Sequence, residues 1–143
     1  MLQDAEHAKK IATSVLECSG SAMMRNDFSA FLGCFHIPHQ IETFDGETVI
    51  RHEHELEAKF IKMRENLMKL GVTDYVRHVV AAEFQDENTI STTHETRPMS
   101  GRLLVTDPYP TYSTLQKIDG AWKVTDSKYA TTTPELLCAL SGD

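Results

Sequence analysis

The stretch from Arg51 to Gly71, RHEHELEAKFIKMRENLMKLG, constrains this chain more than any other. Leu56, Phe60, Met63, Leu67 and Leu70 recur at steps of four and three, which puts them on one stripe of an α-helix. Glu53, Glu57, Lys59, Lys62, Arg64, Glu65 and Lys69 fall largely outside that stripe. Gly71 supplies the left-handed residue that commonly ends a helix, and Lys69 sits in the last turn, where the helix dipole favours a cation. Such a helix must bury its apolar side. Everything after residue 72 reads as strands, so the partner predicted for it is a sheet.

The segments on either side fill in an α+β order. Residues 3–25 read as a helix through Ala8, Ile11, Ala12, Val15, Leu16 and Met23, weakened late by Gly20. Asn26 and Asp27 break the pattern, and Asp27 can cap a short second helix through Phe28, Phe31, Leu32 and Phe35. Pro38 starts an extended segment to Phe44, Asp45-Gly46 signals a two-residue turn, and Glu47 to Ile50 returns as a strand. Beyond Gly71, strands are predicted at Tyr75–Gln85, Thr89–Met99, Leu103–Val105, Thr111–Ile118 and Ala121–Ala130. Turns at Asp86-Glu87-Asn88, Ser100-Gly101 and Asp119-Gly120 separate them, and Asp107-Pro108-Tyr109-Pro110 forces a bend. Residues 134–140 read as a short terminal helix or a tail. No repeat or linker divides residues 1–143, whose length suits one domain. Helices first and hairpin-linked strands later is an α+β pattern, a bent, mainly antiparallel sheet around the long helix.

Charge and cysteine usage exclude several classes. A net charge of -7 without a polybasic run argues against nucleic acid and anionic lipid as partners. The apolar runs are too short to span a bilayer, and MLQDAEHAKK lacks a signal core. Cys18, Cys34 and Cys138 contain no CxxC pair, which suits reduced thiols in a cytoplasm. Cys34 and Cys138 have no evident base partner and are expected to be buried, inert thiols.

The joint NDFSAFLGCF, the strand-turn PHQIETFDGE, the long helix and the motif Asp119-Gly120-Ala121-Trp122-Lys123-Val124 resemble the nuclear transport factor 2-like superfamily, and within it most nearly the SnoaL-like (polyketide-cyclase-like) branch. The resemblance covers about the whole chain in its order of elements. It implies a cystatin-like cone: three helices packed into a curved sheet, a pocket at the open end, and often a homodimer through the sheet. It also implies enzymes that place an Asp, Glu or His inside the cone, alongside members that only bind. Fold alone does not choose among isomerase, cyclase, dehydratase, hydrolase and a non-catalytic module that binds a ligand or simply dimerises.

Proton transfer beside a carbonyl needs a base near neutral pKa and a donor for the oxyanion. His78 alternates with Val76, Val80, Ala82 and Phe84, which predicts that it faces the core, either as a base or as a core histidine bonded to a hydroxyl. Asp126 shares phase with Trp122 and Val124. It lies toward the mouth of the cone if Trp122 faces inward, while Tyr129 enters if Trp122 faces outward, and a surface aspartate is the plainer reading. His94 shares phase with Ile90, Thr92 and Thr96, which favours it over Glu95 as the inward residue. Glu42 lies with Gln40 and Phe44, and His39 with Ile41 and Thr43; which set faces inward is open. Tyr112 could donate a phenol hydrogen bond or simply pack. Phe31, Phe35, Phe60 and Met63 are the expected apolar lining for a small apolar or amphipathic ligand.

His36-x-x-His39 spans Pro38 and is not helical, which leaves its geometry open, and in His52-Glu53-His54-Glu55 neighbouring helix positions diverge; zinc needs three or four converging ligands, so no metal site is expected, and no cofactor. The 52–55 cluster suits the start of the helix, where negative charge is favourable. HExxH, a Gly-rich phosphate loop and a serine nucleophile elbow are absent. An exposed sheet face carrying Tyr75, Val79 and Leu115 predicts a homodimer.

Overall fold

The structure, a computed structural model, describes residues 2–130. Cys138 and residues 134–140 therefore lie outside the described residues. The elements run α1 (Leu2–Arg25), α2 (Phe28–Leu32), β1 (Phe35–Thr43), β2 (Gly46–Ile50), α3 (Glu53–Lys69), β3 (Asp74–Asp86), β4 (Thr89–Ser100), β5 (Leu103–Leu104), β6 (Tyr109–Ile118) and β7 (Ala121–Tyr129). The sheet order is β2-β1-β7-β6-β4-β3, with β5 beside β4. The β1–β7 pair is parallel, and the other pairs are antiparallel.

Local chemistry sets the ends of the helices. Asp27 Oδ1 accepts from the Ala30 amide at 3.1 Å and caps α2, which stops at Leu32. Phe35 thus opens β1 instead of closing a helix, so the extended segment starts three residues before Pro38. At α3, Glu55 Oε1 accepts from the Arg51 and His52 amides, both at 3.0 Å. Those amides hold its carboxyl below the usual range, so the 52–55 cluster caps the helix start. At the other end, Gly71 adopts a φ of 72°, Val72 N–H donates to the Leu67 carbonyl oxygen at 2.9 Å, and Gly71 N–H donates to that of Met68 at 3.1 Å. This is the paired bonding of a Schellman closure. Arg64, outside the apolar stripe, donates to the Met23 and Met24 carbonyl oxygens at the end of α1.

Two helices share the concave side of the sheet. The small residues Ala8 and Ala12 of α1, with Leu16, let it lie close along β3 over Val79, Ile90, Leu115 and Val124. The α3 stripe of Leu56, Phe60, Met63 and Leu67 is buried as its spacing predicts. It packs with Met23, Phe31, Ile41, Ile50, Val72 and Tyr109. Each such side chain contributes on the order of 1.5–3 kcal/mol by leaving water. No helix among the described residues is long and apolar enough to cross a membrane.

Two β-bulges decide which side chains face the helices. In β3, Val79 pairs with His94 and Ala81 with Thr93, so Val80 is an extra residue. In β7, Val124 pairs with Leu115 and Asp126 with Thr114, so Thr125 is extra. An extra residue inverts the alternation of everything beyond it.

Candidate functional site

The concave wall of the sheet is polar. Across one level, Arg77 of β3 lies opposite Thr96 of β4, which lies opposite Tyr109 of β6. Across the next, His94 of β4 lies opposite Thr111 of β6, which lies opposite Tyr129 of β7. His39 comes from the inner face of β1, with Ile41 and Thr43. His94 is 3% exposed and His39 2%; Thr96, Thr111 and Tyr109 are also buried.

Facing this wall is an apolar roof. A cavity of about 30 Å³ lies between the two. Its roof is Ser19 and Met23 of α1, Phe31, Phe35, and Leu56 and Met63 of α3; its floor includes His39, Arg77 and Tyr129. That volume is the space of one water molecule. Phe60 is buried behind the roof, its ring 4.9 Å from that of Phe31.

Six side-chain atoms on the wall are buried without a hydrogen-bond partner in the chain: His39 Nδ1, Arg77 Nε, His94 Nδ1, Thr96 Oγ1, Tyr109 Oη and Thr111 Oγ1. Arg77 is held from the other side. Its Nη2 donates to the Leu16 carbonyl oxygen at 2.5 Å and to Ser19 Oγ, and its guanidinium lies 5.0 Å from the centre of the Tyr75 ring.

The electrostatics follow from burial. Desolvation lowers His94 to about 3, with the Arg77 charge acting in the same direction. Desolvation lowers His39 to about 4, opposed by the Val124 carbonyl. Both imidazoles are therefore neutral near pH 7. Burial also raises the phenols of Tyr75, Tyr109 and Tyr129, keeping them protonated donors.

The expected orientations change accordingly. His78 does not face the core. Ala82 and Phe84 point inward, but the Val80 bulge puts Val76, His78 and Val80 on the outer face and turns Tyr75, Arg77 and Val79 inward. Asp126 is likewise outside. Trp122 packs inward, yet the Thr125 bulge sends Asp126 out and brings Ser127 and Tyr129 in. Tyr112 is 48% exposed, because Tyr109, Thr111, Ser113 and Leu115 take the inner phase of β6. Tyr75, Val79 and Leu115, expected on the exposed face, all point inward. Glu42 is outer, 3.9 Å from Lys128 Nζ, and Glu95 is outer, 2.5 Å from Arg97 Nε. His94, Phe31, Phe35, Phe60 and Met63 do gather on the concave side. Arg77, Tyr109, Thr96 and Thr111 were not singled out by the sequence; the Ile90-Thr92-His94-Thr96 alternation was the one signal that reached this wall.

Other clusters are less suited to chemistry. Among the described residues no three His, Cys, Asp or Glu side chains gather in a way that could hold a metal ion. Cys34 donates to the Ala30 carbonyl oxygen at 3.4 Å; burial, reinforced by the neighbouring Cys18 thiol, pushes it up to about 12, while Cys18 is exposed.

No family model matches the chain, and neither does any curated protein sequence. Solved structures do. An NTF2-like protein of unknown function from Shewanella oneidensis superposes with a TM-score of 0.65 at 14% identity, covering 85% of this chain and 98% of its own. An NTF2-like protein with a cystatin-like fold from Novosphingobium aromaticivorans gives 0.66 at 11%, covering 94% and 89%. A ketosteroid isomerase-like protein from Erwinia carotovora atroseptica gives 0.59 at 14%, covering 88% and 98%. The chain has the nuclear transport factor 2-like, cystatin-like fold.

Proposed function

We propose that this chain is a small-molecule-binding protein of the SnoaL-like kind, whose ligand occupies the cone between the polar sheet wall and the Met and Phe roof. The observation that carries the reading is the set of six unpartnered buried atoms. Each costs about 1–3 kcal/mol when left unbonded. Six at that rate rival the whole net stability of a domain, about 5–15 kcal/mol. The cavity, which His39 and Arg77 line, has room for one water, which makes about 2–4 hydrogen bonds and so cannot serve all six atoms. A ligand that displaces the flexible Met23 and Met63 side chains can.

An isomerase, cyclase or dehydratase is the less supported reading. His39 and His94 are weak bases at their lowered values, and no carboxylate lies on the concave wall among the described residues. A cytoplasmic setting suits the free thiols Cys18 and Cys34. A homodimer through the outer sheet face is supported by Val80 and Val76, 57% and 44% exposed on the same face as Tyr112.

The test is native mass spectrometry of the protein after incubation with a metabolite mixture, compared with Met23→Phe, which fills the cavity. A small adduct retained by the wild type and lost from the variant is expected. No adduct, or one held equally by the blocked variant, would contradict the reading.

A further inference from the structure

We propose that the ligand presents a carboxylate, which the concave wall binds through Arg77 together with His94, Thr96 and Thr111. The inference rests on the reading of the cone as a ligand site and adds the chemical class of what enters it.

Two independent features of the wall lead there. The first is donor bookkeeping. Arg77 Nε carries a hydrogen and can only donate, the hydroxyls of Thr96 and Thr111 can donate, and the neutral His94 imidazole can place its hydrogen on Nδ1; the Tyr109 hydroxyl faces that of Tyr75, and His39, with its one hydrogen directed at the Val124 carbonyl, presents Nδ1 as an acceptor. Donation is the one capacity that Arg77 Nε, His94 Nδ1, Thr96 Oγ1 and Thr111 Oγ1 share. A group with several acceptor lone pairs and no hydrogen of its own therefore matches the wall, whereas an amine or alcohol brings donors that meet donors. A carboxylate offers about four acceptor sites.

The second feature is charge. The chain carries -7 overall, yet its concave wall carries the Arg77 cation and, among the described residues, no buried Asp or Glu to balance it. The known partners of Arg77 are neutral: the Leu16 carbonyl oxygen, Ser19 Oγ and the Tyr75 ring. A partly buried cation whose Nε is fully enclosed and which has no counter-ion is costly, and pairing with an anion is how that cost is met. The carboxylates that exist nearby in sequence, Glu42, Glu95 and Asp126, all sit on the outer face. A neutral carbonyl would satisfy the hydrogen bonds but not the charge. The apolar roof then receives the remainder of the ligand, which gives an amphipathic organic acid.

The experiment titrates the wild-type protein with matched acid and amide pairs: acetate and acetamide, hexanoate and hexanamide, benzoate and benzamide. Binding is read from the imidazole ¹⁵N resonances of His39 and His94, which locate the ligand in the cone. The expected result is saturable movement with at least one acid and an affinity roughly tenfold or more weaker for its amide, as expected for charge-assisted hydrogen bonds. Equal affinity for acid and amide would overturn the carboxylate assignment and leave the cone as a ligand site. No response at either histidine to any probe would overturn both. Arg77→Met should abolish the difference between acid and amide; if that variant does not fold, the wild-type comparison decides by itself.

Discussion

Arg77, near the start of β3, donates to the carbonyl oxygen of Leu16 in α1 at 2.5 Å. The bond ties the first helix to the sheet where the helix carries Gly20. A Cβ built on Gly20 would meet Arg77 Nη2 at 3.1 Å and the Tyr75 carbonyl oxygen at 3.4 Å. The glycine, a helix-weakening residue by propensity, is what lets the arginine seat. Gly→Ala inside a helix ordinarily stabilises by about 1 kcal/mol. Gly20→Ala is expected to gain nothing, and Gly20→Val to lose roughly 1–3 kcal/mol through overpacking. Urea unfolding of the two variants checks this.

The two buried histidines make stability depend on pH in a definite direction. Their folded values, about 4 for His39 and about 3 for His94, lie below the 6.5 of an unfolded histidine. Between roughly pH 4 and 6 the unfolded chain therefore binds more protons than the folded one, and stability falls as pH falls. Each histidine contributes a slope of up to about 1.4 kcal/mol per pH unit. Unfolding free energies at pH 7 and pH 5 should differ by a few kcal/mol, and His94→Gln should remove about half of this histidine-dependent slope. A pH-independent midpoint would mean that these rings are solvated.

The thiols should react unequally. Exposed Cys18 is expected to be alkylated by iodoacetamide at pH 8, and Cys34, pushed up to about 12, to be protected until urea is added. Peptide mapping assigns the label. Rapid modification of native Cys34 would show that the α2–β1 junction opens.

The outer sheet face offers a separate test. Val80→Lys should leave the fold intact, because the side chain is already 57% exposed, while shifting micromolar protein from dimer to monomer in sedimentation velocity. His78→Ala on the same face should leave ligand binding in the cone unchanged. A monomeric wild type would remove the dimer proposal.

Much of the fold was legible because its signals are local. The α3 stripe, the Asp27 cap and the left-handed Gly71 depend on residues within a turn or two of each other. The Asp119-Gly120 hairpin is as readable: both residues take positive φ, 51° and 83°, as a type I′ turn requires. The site was much less legible, for one repeated reason. Alternation along a strand gives the facing of a side chain only while the register is unbroken. Val80 and Thr125 break it, and whether a residue bulges depends on the partner strand, not on its own sequence. Counting inward from Ala82 and Phe84 thus selects His78 where the wall holds Arg77. Counting from Trp122 selects Asp126 where it holds Tyr129. His94 was found because no bulge interrupts β4 between Ile90 and Thr96 in its pairing with β6.

The central claim, that the concave wall is a buried, donor-lined ligand site, is tested most directly by the imidazole ¹⁵N spectrum with and without a bound small acid. Near pH 6, His39 and His94 should both be neutral, and their Nδ1 resonances should move together on binding while those of exposed His52, His54 and His78 stay in place. Titration of His39 and His94 with ordinary values near 6.5, or a response confined to the exposed histidines, would contradict it.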